Sequence, residues 1–136
     1  MNRRTTIMSI LAGAAVLLAG HSAVSLANAN DSPEACCEEC GTCRTTCLEC
    51  VDACLKEGGR EQCVRLCLDC ADICVACDNL VARKSPLAPA IMAVCAEACQ
   101  KCAAECAKHK GDTACKACAD SCERCAKKCL EAAAAK

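Results

Sequence analysis

The sequence predicts an all-α protein, an antiparallel up-down-up-down four-helix bundle with a cysteine-lined core. Two observations predict it. Twenty of the 21 cysteines recur at alternating steps of three and four, the spacing of side chains that share one buried stripe of a helix. Glycine and proline interrupt that spacing three times and so divide it into four runs. The first run is Cys36, Cys40, Cys43, Cys47, Cys50 and Cys54, and the second is Cys63, Cys67, Cys70, Cys74 and Cys77. The third is Cys95, Cys99, Cys102 and Cys106, and the fourth is Cys115, Cys118, Cys122, Cys125 and Cys129. Cys37 alone falls outside the pattern. An apolar repeat of 3.5 residues implies left-handed packing of the helices.

Each helix has its own signals. Ser32-Pro33-Glu34 supplies an N-cap, a proline at the first helical position and an acid in the first turn, so helix 1 is expected over 33–56. Gly58-Gly59 stops it, with Lys56 placed to suit the negative end of the dipole. Helix 2 is expected over 61–83, ended by Ser85-Pro86, and helix 3 over 89–108, ended by Gly111. Asp112-Thr113 caps helix 4, which reaches 133. The short connections at Gly58-Gly59 and Gly111 make helices 1 and 2 antiparallel neighbours, and likewise helices 3 and 4.

Residues beside the cysteine stripe carry further information. Val51, Ala53, Val64, Leu66, Ala71, Ile73, Ala96, Ala98, Ala103, Ala119 and Ala126 flank it and would wall the thiols off from water. Met92 and His109 extend the helix 3 stripe at its two ends. Met92 should share an end with Cys36, Cys77 and Cys129, and His109 the opposite end with Cys54, Cys63 and Cys115. Leu48, Leu55, Leu68 and Val75 lie away from the stripe and form a candidate subunit interface.

The first 29 residues read as an export signal peptide, leaving a bundle domain over 30–136. Arg3-Arg4 opens it, residues 10–19 are apolar, and Ala27-x-Ala29 offers a cleavage site. The paired arginines resemble a twin-arginine signal, which points to a periplasmic location after cleavage near Ala29. The apolar stretch is too short for a permanent span. Cleavage removes two arginines and no acid, taking the formal net charge from −1 to −3. That mildly acidic surface has no basic patch, which excludes nucleic acid as a partner.

The chemistry follows from placing thiols in a helical stripe. Residues four apart on a helix have Cβ atoms about 5–6 Å apart, whereas a disulfide needs about 3.5–4.5 Å. Pairs such as Cys36/Cys40 or Cys118/Cys122 therefore do not bond along one helix, but both can reach inward to one metal ion. Thiolates select Cu(I), zinc and iron–sulfur clusters. Zinc with four thiolates leaves each site at −2, which is costly to bury repeatedly without compensating donors. Cu(I) accepts low coordination numbers. Two thiolates per ion would load about ten ions, and bridging thiolates would approach one copper per thiol with a neutral core.

A four-helix bundle with C-x-x-x-C and C-x-x-C spacings on every helix resembles the bacterial copper storage protein family. The likeness covers residues 31–136, and the leader resembles that family's exported branch. The resemblance implies storage of many Cu(I) ions along the core, tetrameric assembly, and methionine and histidine ligands near a mouth where copper is captured. Met92 and His109 are the candidates here, with Cys37 beside the Met92 end, and a cuproenzyme or copper chaperone would be the protein partner. Two other readings of the residues stay open: a structural bundle stapled by disulfides between helices, and a sink for zinc or other heavy metals. A redox enzyme would use a C-x-x-C pair such as Cys47/Cys50 or Cys122/Cys125. It needs one exposed, activated cysteine in a βαβ setting, and the sequence carries no strand pattern, so no enzymatic activity is expected.

Overall fold

The computed structural model describes residues 32–135, and the expected export signal lies outside the described residues. Four helices occupy them: α1 (Pro33–Glu57), α2 (Glu61–Ala82), α3 (Ala88–Cys106) and α4 (Thr113–Ala134). The capping residues act as expected. Ser32 accepts a hydrogen bond from the Ala35 amide at 3.2 Å, with Pro33 in the first turn. Asp112 accepts one from the Cys115 amide at 3.0 Å. Each satisfies a donor that the first turn of a helix leaves free. Gly58 and Gly59 carry φ of 75° and 70°, a left-handed geometry that glycine adopts without a Cβ penalty, and the Gly58 amide closes α1 onto the Cys54 carbonyl at 2.9 Å.

Helix α1 packs against α2 and α4, and α3 packs against the same two, so the helices stand at the corners of a square. Diagonal helices meet across the central bore through sulfur, as between Cys43 and Cys99 at 3.8 Å and between Cys67 and Cys118 at 3.9 Å. Among the described residues the buried apolar core is twenty cysteines with Val81, Met92 and six alanines. The flanking residues behave as a wall. Ala71, Ala96, Ala103, Ala119 and Ala126 are buried, and Val51, Ala53, Val64, Leu66, Ile73 and Ala98 are half-buried. Leu48, Leu55, Leu68 and Val75 remain exposed on the outer face, Leu55 by 67%. No helix among the described residues is long and apolar enough to cross a membrane.

One helix end differs from expectation. Helix α3 stops at Cys106, so His109 lies in the connection to α4 and not on the helical stripe. The chain tightens there: the Lys108 and His109 amides donate to the carbonyls of Glu105 and Cys106, three residues back, at 3.1 and 3.0 Å. A tightened last turn satisfies carbonyls that the helix end leaves free, and the His109 carbonyl then accepts from the Asp112 amide that starts α4.

Candidate metal centre

The antiparallel register stacks the sulfurs into five successive layers. At one end lie Cys36, Cys77 and Cys129, with Sγ of Cys36 3.1 Å from Cys129 and 4.0 Å from Cys77. Met92, three residues before Cys95, takes the α3 position of this layer and is 5% exposed. Cys40, Cys74, Cys95 and Cys125 follow, linked at 3.7–3.8 Å. The middle layer is Cys43, Cys70, Cys99 and Cys122, at 3.6–4.0 Å. Next come Cys47, Cys67, Cys102 and Cys118, also at 3.6–4.0 Å. The far end holds Cys50, Cys54, Cys63, Cys106 and Cys115, at 3.5–3.9 Å.

These distances exclude sulfur–sulfur bonds, and all 21 cysteines are free thiols. Inside the stack a sulfur has several neighbours at nearly equal range, as Cys43 does with Cys70, Cys99 and Cys122, so no unique pairing is favoured there; Cys36 alone lies distinctly nearer one partner, Cys129 at 3.1 Å. The same spacing suits a shared ion. A metal–sulfur bond of about 2.3 Å places sulfurs about 3.8 Å apart around a four-coordinate ion and about 4.0 Å apart around a three-coordinate one. Groups such as Cys43, Cys47, Cys70 and Cys122, or Cys47, Cys102, Cys118 and Cys122, bring four sulfurs within 4.8 Å of one another. Because Cys43, Cys47 and Cys122 each border two layers, neighbouring sites share ligands.

Burial governs the electrostatics. The sole fully buried polar or charged residue other than the thiols, among the described residues, is Ser121. Thiolate in this bore therefore has no buried side-chain cation to offset it. Bonds within the thiol network hold the protons of Cys47, Cys50, Cys99 and Cys122 well above the ordinary 9.0, with burial adding to the effect. Within each network a few sulfurs accept from several neighbours and ionise first: Cys40, Cys70 and Cys118 lie well below 9.0 for that reason. At the far end burial pushes Cys115 up to about 11.

The profile described as copper storage protein matches residues 29–134. The chain belongs to the copper storage protein family. A copper-free copper storage protein 3 from Bacillus subtilis superposes with a TM-score of 0.68 at 40% identity, covering 74% of this chain and 98% of that one. A Cu(I)-bound copper storage protein, BsCsp3, gives 0.70 at 39% identity, covering 74% and 97%. A cytosolic copper storage protein from Streptomyces lividans, in a form with five coppers, gives 0.73 at 34% identity, covering 76% and 93%.

In this copper storage protein the twenty register cysteines converge on one bore, as their spacing requires. Cys37 does not join them. It is half-buried, and its sulfur points to the Asp78 carbonyl at 3.8 Å. Burial first, and then Asp78, push that thiol up to about 12. His109 is half-buried, its Nε2 3.9 Å from Glu105 and without a hydrogen-bond partner. Sequence reasoning missed Arg60. Its guanidinium donates to Asp112 at 2.7 Å and lies 3.7 Å from Cys115 Sγ, over the last sulfur layer. The available signal was a breach of rule: Arg60 is the N-cap of α2, where a cation opposes the helix dipole.

Proposed function

We propose that the bundle stores Cu(I) along its bore, roughly 10 to 20 ions per chain by ligand counting and charge neutralisation. The observation that carries this reading is the stack of twenty interlinked thiols, met by a guanidinium, that of Arg60, only at its last layer. A monovalent soft ion can replace the thiol proton with no change of charge, one for one, whereas a divalent ion held by four thiolates leaves −2 in an apolar setting. Sharing of Cys43, Cys47 and Cys122 between layers supports bridged sites at high loading. The role is storage and buffering, with no substrate turned over. Anaerobic titration of the reduced chain with Cu(I) against a chelator of known affinity tests it, and a plateau of one or two ions would refute it.

Around that store we place capture ligands at the ends: His109 at one, and Met92 with Cys37 at the other. The exposed leucines and Val75 on α1 and α2 support a homo-oligomer, a tetramer by family likeness, which light scattering would test. A monomer at micromolar concentration refutes it. The arginine pair, apolar run and Ala27-x-Ala29 support export to the periplasm with delivery to a cuproenzyme or copper chaperone. Sequencing the N-terminus of the protein from fractionated cells decides between this and a cytosolic location like that of the Streptomyces lividans relative.

A further inference from the structure

The two ends of the bore are built differently. At the first, Met92 completes the layer of Cys36, Cys77 and Cys129, and Val81 and Ala132, one turn further along α2 and α4, form an apolar plug with it, each no more than 5% exposed. A cavity of about 640 Å³ lies outside this plug, and Cys37 and Met92 line it, but no thiol of the bore does. At the second end a bore thiol is on the wall: Cys54, itself only 1% exposed, lines a cavity of about 250 Å³ together with Leu55, the Gly58–Glu61 turn, Val64 and Arg65. Gly58 and Gly59 put no side chain into this cavity.

Arg60 and Arg65 both line this cavity, and Arg60 is the one seen to reach a thiol. It is held by Asp112 Oδ2 at 2.7 Å and reaches Cys115 Sγ at 3.7 Å, and the Arg60 and Asp112 side chains are 19% and 15% exposed. The other oxygen of Asp112 accepts the Cys115 amide at 3.0 Å. The positive end of the α4 dipole thus engages much of the carboxylate's charge and leaves the guanidinium's field over the terminal thiols. Of the acids at this end, Glu105 pairs with Lys108, Glu61 sits in the first turn of α2, where the dipole offsets it, and Glu57 ends α1 exposed to solvent beside Gly58.

Where thiols are present, Cu(I) travels between two thiolates in a complex of net negative charge. We propose that copper enters at the Gly58–Arg60 end as such an anionic bis-thiolate complex, and that Arg60 is the positioning cation that holds it against Cys54 and Cys115. The proposal rests on the storage reading. In the first exchange the Cys54 sulfur forms a bond to copper, one carrier thiolate leaves, and the Cys54 proton goes to that leaving thiolate. Cu(SR)₂⁻ and a thiol become a mixed complex of the same charge and a free carrier thiol, with no change of oxidation state. Cys115, 3.7 Å from Cys54, displaces the second carrier in the same way.

The test loads the reduced, metal-free full chain anaerobically from two donors, the Cu(I)–glutathione complex and Cu(I) solvated by acetonitrile, following the copper–thiolate absorbance by stopped flow. Arg60→Gln is expected to slow loading from the glutathione complex about tenfold at low salt, with the difference fading as salt screens the field. Loading from the cationic donor should be no slower, Arg60→Lys should keep most of the rate, and the final plateau should be unchanged. Equal slowing with both donors, or none, overturns the proposal. So does an equal or larger effect from Lys84→Gln, which removes a cation beside the cavity at the other end. The wild-type chain alone gives a second reading: added salt should slow the anionic donor and not the cationic one, and the reverse contradicts the proposal. A wild-type plateau of one or two ions would instead refute storage itself.

Discussion

Raising the pH on the metal-free protein should unfold it at a pH where ordinary helical bundles survive. Cys47, Cys50, Cys99 and Cys122 keep their protons in the fold well above 9.0, through the thiol network and burial. A raised pKa on an acid means that the native state holds more protons than the unfolded chain above pH 9. The stability it contributes is full below 9 and declines as the pH rises. Each such thiol removes about 1.4 kcal/mol per pH unit, so these four remove about 5–6 kcal/mol per unit. A domain of this size has about 5–15 kcal/mol in total, and its helicity should be lost by about pH 10–11. Thiols such as Cys40, Cys70 and Cys118, which neighbouring S–H groups hold below 9.0, add nothing to this loss above pH 9. The assay is circular dichroism with thiolate absorbance, anaerobic and with reductant. The copper-loaded form should stay helical across the range, because Cu(I) has replaced the protons. Full helicity and an unchanged Tm to pH 11 in the metal-free protein would refute the argument.

Further outcomes follow from individual residues. In the native, reduced, metal-free protein one thiol should alkylate ahead of the other twenty. That thiol is Cys37, and its rate should rise with pH up to the onset of unfolding, because burial and then Asp78 hold its proton well above 9.0; mass spectrometry showing several thiols modified at once in the folded protein contradicts this. Replacing Asp112 by alanine removes the α4 cap and should lower stability by about 1 kcal/mol, read by urea unfolding, with copper capacity unchanged. The Asp112 carboxyl is held below its ordinary range by the Cys115 amide and then by Arg60. Its contribution is present above the unfolded carboxyl pKa and is lost as the pH falls, so the variant and the wild type should converge in acid. Replacing the middle layer, Cys43, Cys70, Cys99 and Cys122, by alanine should reduce capacity by about two ions at two thiolates per copper and about four at one per thiol.

Most of the store was legible in the sequence, because a helical period fixes which side chains share a stripe and the cysteines themselves mark the period. Ser32, Gly58 and Asp112 located the helix ends because each has a local capping or turning role. His109 was expected to extend the α3 stripe one residue past the helix, whereas α3 ends at Cys106. The spacing from Cys106 continues the stripe, but the choice between one more helical turn and a tightened exit depends on where α4 must start. Arg60 was not legible as a contact of Cys115, since the two are 55 residues apart and meet only once the hairpins dock. The separation of Cys37 from the bore was legible in its register alone, whereas the plug of Val81, Met92 and Ala132 between its cavity and the thiols required the packed end.

The central claim is that the bore exchanges thiol protons for Cu(I) many times over. It is tested most directly by anaerobic Cu(I) titration in weakly buffered solution, counting bound copper and released protons together. The account predicts a plateau between about ten and twenty ions, with released protons approaching one per copper at full loading. A plateau of one or two ions, or the same sites filling with zinc in preference to Cu(I), would contradict it.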